Sequence, residues 1–322
     1  MHATEQPAIR LDAVSKRYGD GTVAVHELSL DVRRGERCVL VGPSGCGKTT
    51  TMKMVNRLVE PTGGRVLLGG EDVQAMDAVQ LRRRVGYVIQ QVGLFPHQTV
   101  NANVATVPSL LGWDRKRTKD RVQSLLELVG LDPSVHGRRY PAELSGGQRQ
   151  RVGVARALVA DPLVLLMDEP FSAVDPVARE RLQTEFLRVQ RELGTTVLLV
   201  THDIDEAVRL GDRIAVMSDG GHLEQHDAPT TVLGRPASDY VAEFVGSDRA
   251  VKRLSVTRID PSHLEPWDGE VEHSVPVDAD LAQALALLLD SRGGRVGVVD
   301  GDGRRIGALT PQSLHAAVRA AS

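Results

Sequence analysis

Apolar residues along this chain keep two rhythms. Short apolar runs at 9–11, 23–25, 28–32, 38–41, 65–68, 85–89, 163–167, 195–200 and 213–217 read as strands, divided by polar, glycine-bearing breaks such as Gly19-Asp20-Gly21. Between them, apolar positions recur at helical spacing over 50–58, around 81–84, and over 121–129, 148–159, 177–193 and 204–210. In 121–129, for instance, Val122, Leu125, Leu126, Leu128 and Val129 share one face. Strands alternating with helices predict an α/β fold with a mainly parallel sheet covered on both faces. The stretch from about 98 to 150 is helical in character and reads as an inserted subdomain.

Near Gly246 the pattern changes. Residues 247–270 mix charge with Pro261, Pro266 and an isolated Trp267 without a clean period, and read as a linker. A strand at 274–277, a helix at 281–289, strands at 295–299 and 305–309 and a helix at 311–320 then make a small α+β unit. By itself it is short of core and is expected to need a partner. No second copy of it occurs in the chain.

Bulk properties narrow the function classes. The 322 residues suffice for about two domains, and 41% apolar with 25% charged residues describes a soluble globular chain. A net charge of −3 and 3% aromatic residues give no reason to expect a nucleic-acid partner. The N-terminus has no basic region followed by an apolar one, and no apolar run approaches the ~18 residues of a membrane span, so a cytoplasmic chain is expected. Two cysteines, Cys38 and Cys46, make a disulfide framework or metal cluster implausible.

The candidate chemistry begins where the 38–41 run ends. Gly42-Pro43-Ser44-Gly45-Cys46-Gly47-Lys48-Thr49-Thr50 follows a strand and opens a helix, the context a phosphate-binding loop requires. Its glycines let backbone N–H groups turn inward on a triphosphate at the positive end of the helix. Lys48 supplies a point charge for the β- and γ-phosphates, and the Thr49 hydroxyl is placed to ligate Mg²⁺. The run 163–167 is apolar throughout, as in a central parallel strand, and ends in Asp168-Glu169. Strand carboxyl ends gather ligands in such sheets, so Asp168 fits a Mg²⁺-holding role and Glu169 can orient or deprotonate an attacking water. Leu144-Ser145-Gly146-Gly147-Gln148 precedes an amphipathic helix, with Ser145 as N-cap. The chain thus has two helix N-termini suited to anions where one triphosphate needs one.

Together these residues resemble the ATP-binding subunit of an ABC transporter, from Ile9 to Gly246. The resemblance implies a P-loop NTPase fold with an antiparallel β edge, ATP and Mg²⁺ as ligands, and roles for residues that local pattern alone does not mark. Tyr18 corresponds to the aromatic that stacks on adenine, and Gln90 to the glutamine that touches Mg²⁺ and the nucleophilic water. Gln91 is the neighbouring alternative, with Gln90 in register with the strand before it. Ser145 to Gln148 form the signature, Ser172-Ala-Val-Asp175 the D-loop, and His202 the switch histidine. The resemblance further implies head-to-tail pairing with a second ATPase subunit, a homodimer by expectation, so that the signature of one chain closes on the ATP of the other.

Within that family the chain is similar to importers of quaternary amines: glycine betaine, carnitine, choline and proline-type osmolytes. The stretches that carry this likeness are 52–62, 86–97 and 201–207, continued by 225–229 and 237–240. Integral membrane permease subunits and, indirectly, an extracytoplasmic solute-binding protein are the implied partners, with this subunit at the cytoplasmic face of the membrane. Residues 271–322 resemble a single CBS motif. Where nucleotide-binding CBS motifs usually carry Asp this chain has Ser313, which weakens ribose recognition.

Overall fold

The computed structural model describes residues 6–90, 93–267 and 271–320. Its main sheet has six strands in the order His222–Asp227, Arg213–Ser218, Arg37–Val41, Thr196–Thr201, Val164–Asp168, Val85–Val88. The four strands from Arg37–Val41 to Val85–Val88 run parallel, with Val41 beside Thr201, Asp168 beside Val200 and Val88 beside Met167. Because these strands are in step, their carboxyl ends emerge side by side. They are apolar along their length because both faces are covered: Val39 and Leu40 are both fully buried, as are Leu165 and Leu166.

A second, antiparallel sheet takes the order Val23–Val32, Ile9–Arg17, Gly63–Leu68, Glu71–Asp72. Between the two sheets lies the core: Ile9, Leu11, Leu28 and Val66 on one side, Cys38, Leu40, Leu166 and Leu198 on the other, with Met52 and Met54 of helix Lys48–Val55 among them. The runs at 23–25 and 28–32, expected as two strands, are one. Glu27 adopts a left-handed φ of 43°, and its N–H donates to Ser15 Oγ at 2.9 Å. Such an irregularity puts the apolar positions before and after it out of phase, which is why the sequence reads as a break.

Between residues 99 and 158 the chain is helical, with Arg115–Leu128 and Gly146–Leu158 the longest elements. Thr99, Asp114, Asp132 and Ser145 cap successive helices through their side chains. Buried Asn103 fastens the preceding loop, accepting from Phe95 N–H at 2.7 Å and donating to the carbonyls of Phe95, Gln98 and Thr99. No helix among the described residues is long and apolar enough to cross a membrane.

The contacts divide the chain into two compact units, 1–203 with 215–223, and 204–214 with 224–322. The second unit contains the three-stranded sheet Ser274–Pro276, Val296–Val299, Arg305–Leu309 and helices Leu281–Asp290 and Pro311–Ala320. The reading of 247–270 as a linker does not hold. Helix Arg249–Leu254 and the 3-10 turn Pro261–His263 are folded, and Leu254 and Ile259 are buried in one cluster with Val275, Leu281, Val296 and Leu309. The segment supplies apolar surface that so small a unit lacks on its own. Trp267 lies over Gly297, where an added Cβ would come within 2.0 Å of the indole, and Arg305 covers the ring at 4.8 Å. Gly297→Ala should therefore destabilise this unit by about 1–3 kcal/mol. Trp267 fluorescence during denaturant unfolding of a Trp113→Phe background reads this, and an unshifted transition would contradict the packing.

Candidate nucleotide site

The site grows from the ends of the parallel strands. After Val41 the chain enters the loop 42–47 and then helix Lys48–Val55. Two glycines in that loop touch backbone directly. A Cβ at Gly42 would stand 2.2 Å from the Met217 carbonyl oxygen, and one at Gly47 2.1 Å from that of Ala24. Gly47 also holds φ at 95° as the helix begins. Lys48 is buried, and its ammonium donates to the carbonyls of Gly42 at 2.8 Å and Pro43 at 2.7 Å. Cys46 is buried beneath the loop, and burial pushes its thiol pKa up despite nearby Lys48, so it stays neutral.

Thr49, on the first turn, donates its hydroxyl to Asp168 Oδ1 at 2.9 Å, joining the loop to the end of strand Val164–Asp168. Burial holds the Asp168 carboxyl above its ordinary range; the Thr49 hydrogen bond opposes this, and the charge of Glu169 adds to it. Glu169 turns away with φ of 44° while its N–H donates to Val200 O at 2.9 Å. Its Oε1 lies 3.3 Å from His202 Nδ1, at the end of the neighbouring strand Thr196–Thr201. Ser172 donates its hydroxyl to the Glu169 carbonyl at 2.9 Å and receives Gln90 Nε2 at 3.3 Å. Thr49 and Asp168 are thus linked by one hydrogen bond, and Gln90, Ser172, Glu169 and His202 by an unbroken series of contacts. Gln91 lies outside the described residues.

Other expected site residues stand apart from this group. Tyr18, 40% exposed, places its hydroxyl 3.4 Å from Thr50 Oγ1 at the edge of the loop, with Lys16 Nζ over its ring at 5.3 Å. Ser145 and Gln148 cap their helix reciprocally: Gln148 N–H donates to Ser145 Oγ at 3.2 Å and Ser145 N–H to Gln148 Oε1 at 2.9 Å. Gly146 and Gly147 form the first turn behind them, Gly147 against Leu182. Asp175 caps helix Pro176–Leu193 by accepting from Ala178 N–H at 3.0 Å. Among the described residues no hydrogen bond joins the turn 145–148 or Asp175 to the phosphate loop. Ser172, expected only as the start of the D-loop, acts as the bridge between Gln90 and Glu169. Tyr87, for which no role was expected, has its phenol pushed up to about 12 by burial and by Asp168.

Chemically, the arrangement can hold a polyphosphate on backbone N–H groups and Lys48, with a carboxylate beside it to act on water. The oxygen donors of Thr49 and Asp168, in mutual contact, also fit a hard divalent cation. A cation there would relieve the burial that disfavours ionised Asp168. Among the described residues no group of three or more His, Cys, Asp or Glu could hold a metal, so phosphate oxygens and water would complete its shell.

Comparison with known proteins agrees with this geometry. Residues 25–172 match the ABC transporter family. The osmoprotectant import ATP-binding protein OsmV of Salmonella typhimurium is 48% identical over 93% of this chain and 78% of its own length. The glycine betaine/carnitine/choline transport ATP-binding protein OpuCA of Bacillus subtilis is 46% identical over 91% of this chain and 75% of its own. The dimeric ATP-binding cassette MJ0796, solved with ADP and Pi, superposes with a TM-score of 0.60 and 32% identity, covering 68% of this chain and 98% of that one. With relatives 46–48% identical over more than nine-tenths of its length, the chain belongs to the ABC transporter family as one of its ATP-binding subunits, an ATPase.

Proposed function

We propose that this subunit drives import of a quaternary-amine osmoprotectant, such as glycine betaine, carnitine or choline. The observation that carries this reading is the likeness to OsmV and OpuCA, which spans more than nine-tenths of the chain and so includes most of the second unit. Membrane permease subunits, and through them an extracytoplasmic solute-binding protein, are its partners, and it sits peripherally on the cytoplasmic face. Residues 271–322 serve as a single CBS-like module that helps hold the ATPase pair and tunes its activity with salt.

In the proposed mechanism the loop amides and Lys48 take the β- and γ-phosphates, Lys48 exchanging its loop carbonyls for phosphate oxygens. Tyr18 stacks on the adenine. Thr49, Asp168 and Gln90 would hold Mg²⁺, which when bound would offset the charge that develops on the transferred phosphoryl group. Glu169 orients the water and accepts its proton, and His202, in contact with Glu169, lies against the γ-phosphate. Positioning and charge neutralisation supply most of the rate. Ser145 to Gln148 and Asp175 act on the nucleotide of a second copy of the chain. This accounts for a second helix N-terminus suited to anions that, among the described residues, has no hydrogen bond to the phosphate loop of its own chain.

Four outcomes test these roles. Because its folded-state pKa is raised, the Asp168 carboxyl favours folding below its unfolded value of 3.8 and weakens it as pH rises through the folded value. Asp168→Asn should therefore raise the denaturation midpoint of the nucleotide-free protein at pH 7, with no gain at pH 3, while losing the added stability conferred by Mg·ATP. Glu169→Gln should bind ATP normally yet lose at least about 10²-fold in hydrolysis. In a host lacking the gene, the wild-type gene should restore radiolabelled glycine betaine, carnitine or choline uptake at high salt, whereas the Glu169→Gln gene should not. Undiminished uptake of all three without the gene would remove the substrate assignment. Ser145→Arg should leave equilibrium ATP binding intact and abolish cooperative hydrolysis; a Hill slope like that of the wild type would count against a shared site.

A further inference from the structure

Outside the residues already discussed, one group of charges joins three helices of the first unit. Arg151, on the helix capped by Ser145, places Nη2 2.8 Å from Glu185 Oε2, on the helix capped by Asp175. Its Nη1 also donates to the carbonyl of Gly130 at 3.3 Å, just beyond the C-terminal end of helix Arg115–Leu128. Arg188, one turn along from Glu185, donates to the Leu128 carbonyl at the same helix end. Cations at a helix C-terminus satisfy carbonyls that have no partner within the helix.

The pair is sheltered, with Arg151 and Glu185 side chains only 17% and 24% exposed. It borders a cavity of about 20 Å³, lined in part by Phe171, Leu182 and Phe186, with room for little more than a water molecule. Attraction between such charges is screened far less than on an open surface. Gly147, in the first turn of the capped helix, packs on Leu182 of the same partner helix, so the two helices meet both at the end and in the middle.

We infer that Glu185 is a positioning residue for hydrolysis. Through Arg151 it fixes the direction in which the Ser145–Gln148 turn is presented to the second subunit, relative to the segment from Glu169 to Asp175. One end of that segment holds Glu169 and Ser172, and the other continues into the helix that carries Glu185. A shift of the capped helix is thereby transmitted to the loop behind the acid that acts on water. The inference rests on the proposed shared site, since only a turn that serves another chain's nucleotide needs its direction set in this way.

The test is Glu185→Gln, nearly isosteric and without charge, beside Glu185→Asp, which keeps the charge. Glu185→Gln should lower kcat about tenfold after correction for folded fraction, with equilibrium binding of a fluorescent ATP analogue unchanged within about twofold. Glu185→Asp should recover most of the loss. Adding Arg151→Gln to Glu185→Gln should reduce kcat by less than the product of the two single effects. A kcat that falls only with the folded fraction, or two single effects that multiply, would overturn the inference. Ser145→Arg, measured alongside, separates the two ideas. If it abolishes hydrolysis while Glu185→Gln does not, the positioning role alone fails; if it too is inert, the shared site fails first.

Discussion

At Gly42 and Gly47 the phosphate loop rests on the carbonyls of Met217 and Ala24 with no room for a side chain between. That close approach of backbone to backbone is the constraint on which the rest depends. It fixes the loop against the strand Arg213–Ser218 on one side and the antiparallel sheet on the other, before any side chain contributes. Lys48 and Thr49 then begin a helix whose direction is already set, and Thr49 meets Asp168 because adjacent parallel strands end level with one another.

The same enclosure that shapes the site works against the charges inside it. Asp168 is held above its ordinary pKa chiefly by burial, and Tyr87 beside it is pushed up to about 12. A carboxylate in such surroundings weakens the nucleotide-free fold slightly, and a cation bound with the nucleotide would offset that cost. Glu169 adds a left-handed backbone at φ 44°, a conformation that a side chain adopts at some cost. Both burdens fall on the two residues to which the proposed mechanism gives the metal and the water.

How much of this could be read from the chain depended on whether the information was local. The loop 42–49, the apolar strand ending in Asp168-Glu169 and the Ser145 cap each carry their chemistry in consecutive residues, and each lies on the kind of element expected of it. What was not legible arises from distant partners. Ser172 was expected only as part of the D-loop and bridges because Gln90 reaches it from another strand end, and Glu185 stands out because Arg151 faces it from another helix. Strand His222–Asp227 escaped notice because it lies at the edge of the sheet and its residues are mostly polar. The segment 247–270 looked like a linker because its few apolar residues have no period of their own; Leu254 and Ile259 pack into a core assembled by residues far downstream.

That last feature places residues 249–267 with the three-stranded sheet rather than ahead of it. Leu254 is buried in the same core, Trp267 lies over Gly297, and Arg253 donates to the Val318 carbonyl close to the end of helix Pro311–Ala320. Helices Arg249–Leu254 and Pro311–Ala320 are therefore tied together, like the two ends of a closed clasp. Grafting this module onto another ATPase from residue 271 onward would leave half of the clasp behind; the graft has to start before Arg249.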